Sequence, residues 1–163
     1  MIIILDKDIK QKIANLKLFL FDLDGVLILN KEKNDDVLLN YVKEFTKKLK
    51  SKKYYAGIIT QRKEDELTKN LAAIDNCIVI TSSFNKVGGV EEILKQLNLT
   101  FSNVLYIGDD MLDIPLLHKV GIAIAPNSAR REVKRNVDFT IDIDINGSIL
   151  NYLLEMIEKF SNE

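Results

Sequence analysis

An α/β fold built on a doubly wound, mainly parallel sheet is predicted by three features of the chain. Short apolar runs alternate with helical patterns from one end to the other. The runs are apolar throughout instead of alternating with polar residues, as expected of strands covered by helices on both faces. Polar residues with reactive side chains follow directly after several of these runs, where an open parallel sheet binds its ligands.

The predicted strands are Leu18–Phe21, 57–59, 78–80, Val104–Ile107 and 122–125, with Phe139–Ile141 as a further edge strand. Helical patterns fall at Asp35–Ser51, 64–73, 88–97, 112–119 and 128–135, and a short helix is expected over 8–16. In the first of these, Val37, Leu38, Tyr41, Phe45 and Leu49 form a stripe that faces a core. The segment 148–160 carries Ile149, Leu150, Leu153, Leu154, Ile157 and Phe160 on one side and reads as a closing helix, with Gly147 and Ser148 as start signals.

A length of 163 residues suits one domain, and no repeat, low-complexity tract or Pro/Gly-rich linker divides it. The composition, 47% hydrophobic and 29% charged, is that of an ordinary globular chain. With 23 basic and 24 acidic residues the net charge is −1, which lacks the basic excess of a nucleic-acid binder. The lysines at 43–53 fit the solvated face of a helix. Cys77 is the single cysteine, so no intrachain disulfide can form, and its apolar surroundings indicate a buried, inert thiol. The opening apolar run Met1–Leu5 is cut short by Asp6, Lys7 and Asp8, too early for a signal peptide or a membrane span. No membrane partner and a cytoplasmic location are the resulting expectations.

The residues after the strands carry the chemistry. Asp22-Leu23-Asp24-Gly25 follows the first, Thr60-Gln61-Arg62 the second, Thr81-Ser82-Ser83 and then Lys86 the third, and Gly108-Asp109-Asp110 with Asp113 the fourth. Each has a plainer reading: Asp-x-Asp-Gly as a turn, Thr60 as a helix cap, Lys86 as a surface lysine, and Asp109 and Asp110 as caps of the helix near Met111. Their joint occurrence at one edge of the sheet favours function. Crowded carboxylates also call for a cation, and hard oxygen ligands select Mg²⁺.

Four segments, taken in order, resemble the signatures of the haloacid dehalogenase-like phosphatases: Phe21-Asp22-Leu23-Asp24-Gly25-Val26-Leu27, Ile58-Ile59-Thr60, Lys86, and Gly108-Asp109-Asp110-Met111-Leu112-Asp113. The likeness spans about residues 17–160 and is nearest to the small capless members acting on 3-deoxy-octulosonate 8-phosphate and acylneuraminate 9-phosphate. It implies a Rossmann-like sheet in a single capless domain over 1–163, and Mg²⁺-dependent hydrolysis of a sugar phosphate through an aspartyl-phosphate. By the same resemblance, Asp22 is the nucleophile and Asp24 the general acid and base. Thr60 and Lys86 hold the transferring oxygens, and Gln61 and Arg62 stand where substrate contacts are expected, Arg62 at a position that touches substrate or a neighbouring subunit. Asp22, the Asp24 carbonyl and Asp109 bind Mg²⁺. Asp113 is a further ligand or orients one through water, and Asp110 is the weakest of the set.

The chain departs from that pattern in places. The loop 28–34 is shorter than the family's β-hairpin and lacks its glycine, Gln61 replaces a glycine, and only Asn146-Gly147 remains of a glycine-rich tail. These changes bear on the substrate and on the family's tetramer, and the loop 28–34 is the expected specificity region. His118, the single histidine, is expected in packing or at the surface. Three other readings compete. A non-catalytic interaction or oligomerisation module, associated with a sugar cytidylyltransferase, would suit the altered loop but not the full acid set. A phosphorylated receiver would need an aspartate after the third strand, where Thr81-Ser82-Ser83 stands. A dinucleotide-binding domain would need Gly-x-Gly-x-x-Gly after the first strand, and it is missing.

Overall fold

The protein is described by a computed structural model that covers residues 7–29, 35–143 and 147–161. The run Met1–Leu5, residues 30–34 of the expected specificity loop, and Asn146 lie outside the described residues. Strands β1 (Leu18–Phe21), β2 (Tyr55–Ile59), β3 (Cys77–Ile80), β4 (Val104–Ile107), β5 (Ile122–Pro126) and β6 (Phe139–Ile141) form one sheet in the order β3-β2-β1-β4-β5-β6. Every pairing is parallel, with Leu18 opposite Tyr55 on one side and Val104 on the other. The edge strand expected at Phe139–Ile141 is present beside β5.

Helices α1 (Lys7–Ala14), α2 (Asp35–Ser51), α3 (Glu66–Ala72), α4 (Lys86–Leu97), α5 (Ile114–Leu117), α6 (Arg131–Lys134) and α7 (Ser148–Ser161) cover both faces. The pleat of β1 shows why the runs have no polar alternation. Phe19 and Phe21 point toward Leu38, Val42 and Phe45 of α2 and Leu150 and Leu153 of α7, while Leu18 and Leu20 point toward Val90, Ile93 and Leu94 of α4 and Leu116 and Leu117 of α5. The Phe45 ring meets Phe19 and Phe21 edge-on, with centroids 6.4 and 5.6 Å apart. Lys43, Lys47, Lys48 and Lys50 lie on the exposed side of α2, as a solvated helix face requires. Among the described residues no helix is long and apolar enough to cross a membrane.

Local chemistry moves several helix ends from their predicted places. Asp65 caps α3 by accepting from the Thr68 N–H while the Thr68 hydroxyl accepts from the Asp65 N–H, so the helix starts at Glu66 and not at residue 64. Asn85 caps α4, accepting from the Gly88 N–H at 3.1 Å, and brings the helix start forward to Lys86. The helix predicted over 112–119 divides into a 3₁₀ turn, Met111–Asp113, and the short α5. That over 128–135 shrinks to Arg131–Lys134.

His118 is exposed and pairs with Asn136 just ahead of β6, a surface role. Cys77 lies on β3, half-buried, and burial pushes its thiol up to about 12, which keeps it protonated and unreactive. Leu153 of α7 is fully buried in the cluster that joins α7 to α2 and the sheet. Leu153→Ala is expected to destabilise the fold by about 2–5 kcal/mol, read from the urea midpoint at unchanged m-value.

Candidate active site

The strand order reverses between β1 and β4, which opens a crevice at their carboxyl ends. The polar residue after each strand is still held by the ladder. The Asp22 N–H donates to the Ile107 carbonyl at 2.9 Å, that of Thr60 to Ile80 at 2.9 Å, and that of Gly108 to Ile124 at 3.1 Å. The side chains at this edge therefore stand on rigid backbone. After Asp22 the chain turns sharply, with Gly25 at φ +87° and its N–H donating to the Ile28 carbonyl. A Cβ on Gly25 would meet Asp109 Oδ2 at 1.8 Å, so the loops after β1 and β4 touch through a position that only glycine can fill.

Asp22, Lys86, Asp109 and Asp113 converge in this crevice. Asp22 is 7% exposed, Lys86 4% and Asp113 0%, so their charges must be met by one another. Lys86, in the first turn of α4, places its Nζ 2.6 Å from Asp113 Oδ1 and 3.3 Å from Asp22 Oδ1. Asp22 Oδ1 also accepts the Leu23 N–H at 2.8 Å. Asp113 accepts four hydrogen bonds: Lys86 Nζ and the Tyr106 hydroxyl on Oδ1, both at 2.6 Å, and the Asp109 and Asp110 N–H groups on Oδ2, both at 3.1 Å. Its carboxylate occupies the space where a side chain on Gly108 would begin, since a Cβ there would lie 2.7 Å from Asp113 Cγ.

Crowding leaves its mark on the acids. Burial, and then the charges of Asp113 and Asp109, push Asp22 up to about 8 against the pull of Lys86. Burial and Asp113 likewise push Asp109 up to about 6. Like charges this close disfavour full ionisation of the set.

Asp24 stands apart from this cluster. Its side chain is 55% exposed and holds Arg62, with Nη2 at 2.6 Å from Oδ1 and Nε at 3.2 Å from Oδ2. Arg62 also reaches Asp65 Oδ2 at 3.1 Å. The guanidinium expected to meet substrate is thus committed to two carboxylates of its own chain. Thr60 is buried and caps no helix: its Oγ1 accepts the Arg62 N–H at 3.1 Å. Gln61 is half-buried beside it. Asp110 caps the 3₁₀ turn through the Leu112 N–H, which gives its carboxylate the structural role expected of a residue before a helix.

Two participants were not singled out from sequence. Asp65 holds Arg62, and only its place three residues before Thr68 marks it, as a helix cap. Tyr106 looks like any large core residue of β4; the one signal is a hydroxyl in an otherwise aliphatic strand.

One carboxylate oxygen from each of Asp22, Asp109 and Asp113 lies within 4.8 Å of the others. The donor set fits a hard divalent cation: all oxygen, from carboxyl groups whose raised affinity for protons a cation would offset. Within it, Asp113 accepts four hydrogen bonds, whereas Asp22 accepts one from the Leu23 N–H and lies near Lys86.

A family model described as haloacid dehalogenase-like hydrolase matches residues 73–153. The 3-deoxy-D-manno-octulosonate 8-phosphate phosphatase of Escherichia coli is 27% identical over 150 residues, covering 83% of this chain and 76% of that protein. The crystal structure of the phosphatase of that name from Yersinia pestis superposes with a TM-score of 0.80 at 20% identity, over 97% of this chain and 89% of that one. That of the Moraxella catarrhalis protein, in complex with magnesium ion, phosphate ion and a KDO molecule, does so at 0.75 and 22% identity, over 94% and 91%. The two structures share the fold described above. Four motifs at one sheet edge, the family model and the matched relatives agree in supporting a haloacid dehalogenase-like phosphatase, and the chain is a phosphomonoesterase.

Proposed function

We propose that the protein hydrolyses a small sugar phosphate of the 3-deoxy-octulosonate or nonulosonate kind, with Asp22 as nucleophile and Mg²⁺ as cofactor. One observation carries this reading. Asp22, buried at the reversal point of the sheet, has Lys86 Nζ 3.3 Å away and is grouped with the Asp109 and Asp113 carboxylates, one oxygen of each lying within 4.8 Å of the others. That is an arrangement for a phosphoryl group and a cation together, and it has no use in a purely structural module. The octulosonate 8-phosphate relatives support the substrate class.

Asp22 and Asp109, with the main-chain carbonyl of Asp24, would hold the cation. It would neutralise the carboxylates and the charge of the phosphate. Asp113, with both oxygens filled, orients Lys86 and the backbone of Asp109 and does not ligate. Asp22 attacks phosphorus and the alkoxide leaves as the aspartyl-phosphate forms; water then attacks phosphorus, releasing phosphate and restoring Asp22. Asp24, once off Arg62 and protonated from solvent, gives that proton to the departing oxygen and later takes one from the attacking water. Its exposed carboxylate must come off Arg62 to do so, which makes Arg62 a holder of the acid and base before a binder of phosphate. Thr60 donates its hydroxyl proton to a phosphoryl oxygen while accepting from Arg62. Lys86 supplies charge to the same oxygens.

The first test is phosphate release from p-nitrophenyl phosphate and a panel of sugar phosphates, with Mg²⁺ and with EDTA. Metal-dependent release with preference for the eight- or nine-carbon keto-acid phosphates is expected. Asp22→Asn is expected to lower kcat by at least about 10³-fold at unchanged melting temperature; near-normal turnover would remove the covalent mechanism. Gly25→Ala, which drives a methyl group into Asp109, is expected to raise the Mg²⁺ concentration for half-maximal activity about tenfold or more.

The raised acids also couple metal to pH. Folded protein without cation keeps protons on Asp22 and Asp109 that the unfolded chain, with carboxyls near 3.8, releases. Their stabilisation is complete below about pH 4 and is lost as pH rises through about 6 and then about 8. Mg²⁺ has to displace those protons, so the rise in melting temperature from EDTA to Mg²⁺ is expected to be larger at about pH 8.5 than at about pH 5.5. Equal rises at both pH values would contradict the assigned ligands.

A further inference from the structure

Tyr106 is fully buried in a layer that includes Leu18, Leu20, Ile59 and Val90. Phenylalanine would fill that space without the cost of desolvating a hydroxyl. The phenol is satisfied by two partners: it accepts from Lys86 Nζ at 3.1 Å and donates to Asp113 Oδ1 at 2.6 Å. Lys86 has three N–H bonds and meets three acceptors, Asp22 at 3.3 Å, Tyr106 at 3.1 Å and Asp113 at 2.6 Å. The contact with Asp22 is the longest. A phosphoryl oxygen arriving beside Asp22 takes that N–H most easily, and the other two then hold the ammonium in place.

We infer that Tyr106 is a positioning residue for Lys86: with Asp113 it forms a buried two-point anchor that aims one N–H of a flexible lysine at the transferring phosphoryl group. The inference rests on the phosphatase reading above. A lysine's four-carbon stem has many rotamers, and a group that stabilises a transition state must be held to within about 0.5 Å. Burial, and then the Asp113 carboxylate, push the phenol well above its ordinary pKa, so it stays an O–H donor to Asp113 through the working range. The anchor therefore keeps one polarity: Lys86 donates to the phenol, and the phenol donates to Asp113.

The test compares intact wild-type protein, Y106F, K86M and the double variant, each saturated with Mg²⁺, for binding of orthovanadate, which mimics the five-coordinate phosphoryl group, and of inorganic phosphate. Y106F is expected to weaken vanadate about tenfold and phosphate by less than about threefold, and to lower kcat for p-nitrophenyl phosphate with little change in KM. In the K86M background the same substitution is expected to cost nothing further, because its effect runs through the lysine. Y106M, which removes ring and hydroxyl together and melts lower, is expected to lose vanadate by the same factor as Y106F. The inference fails if Y106F binds vanadate like wild type, if its loss persists undiminished without Lys86, or if the loss grows in step with lost stability. Wild-type protein that binds neither anion would instead overturn the phosphatase reading itself.

Discussion

Lys86 and the carboxylates of Asp22 and Asp113 are buried together at the point where the sheet reverses its strand order, and the rest of the site answers to that charge arrangement. One ammonium among these acids and Asp109 leaves an excess of negative charge in a region with little water. Part of that excess is met by the Asp109 and Asp110 N–H groups on Asp113, and part is relieved by the raised proton affinity of Asp22 and Asp109. The remainder is what makes the crevice receptive to a divalent cation. A phosphate could not enter so acidic a place without one.

The architecture keeps these groups close with little freedom to separate. Backbone hydrogen bonds at Asp22, Thr60 and Gly108 continue the sheet ladder into the residues after the strands, so the acids inherit the rigidity of β1 and β4. Gly25 and Gly108 let carboxylates approach backbone where a methyl group would collide, the first with Asp109 and the second with Asp113. Lys86 enters from the opposite helical layer, fixed by the Asn85 cap that starts α4. Asp24 and Arg62, by contrast, form an exposed pair at the rim. The exposed pair thus lies outside the buried cluster of Asp22, Lys86 and Asp113.

Much of this was legible in the residues. Wholly apolar strands required helices on both faces, and the core on each side of β1 is apolar for that reason. The acids and lysine after the strands were recognisable because an open parallel sheet exposes that edge, and the motif spacing assigned each to a strand end. Helix boundaries were less legible at 64–73 and 112–119, where competition between side-chain caps and helical hydrogen bonds, by Asp65 in one case and Asp110 in the other, sets the first residue.

The sequence by itself determined the order of strands and helices, the apolar faces and which reactive side chains share the sheet's carboxyl edge, because these depend on periodicity and on residues adjacent in the chain. Only the tertiary structure decided how those side chains divide their hydrogen bonds. The pairing of the Arg62 guanidinium with Asp24 and Asp65 is one such division. That Asp113 accepts four hydrogen bonds, and that the Tyr106 hydroxyl lies between Lys86 and Asp113, is visible only in the packed structure. A carboxylate has a limited number of lone pairs and an ammonium only three protons. Which neighbours take them depends on directions and distances between segments far apart in the chain, and these exist only once the layers have packed.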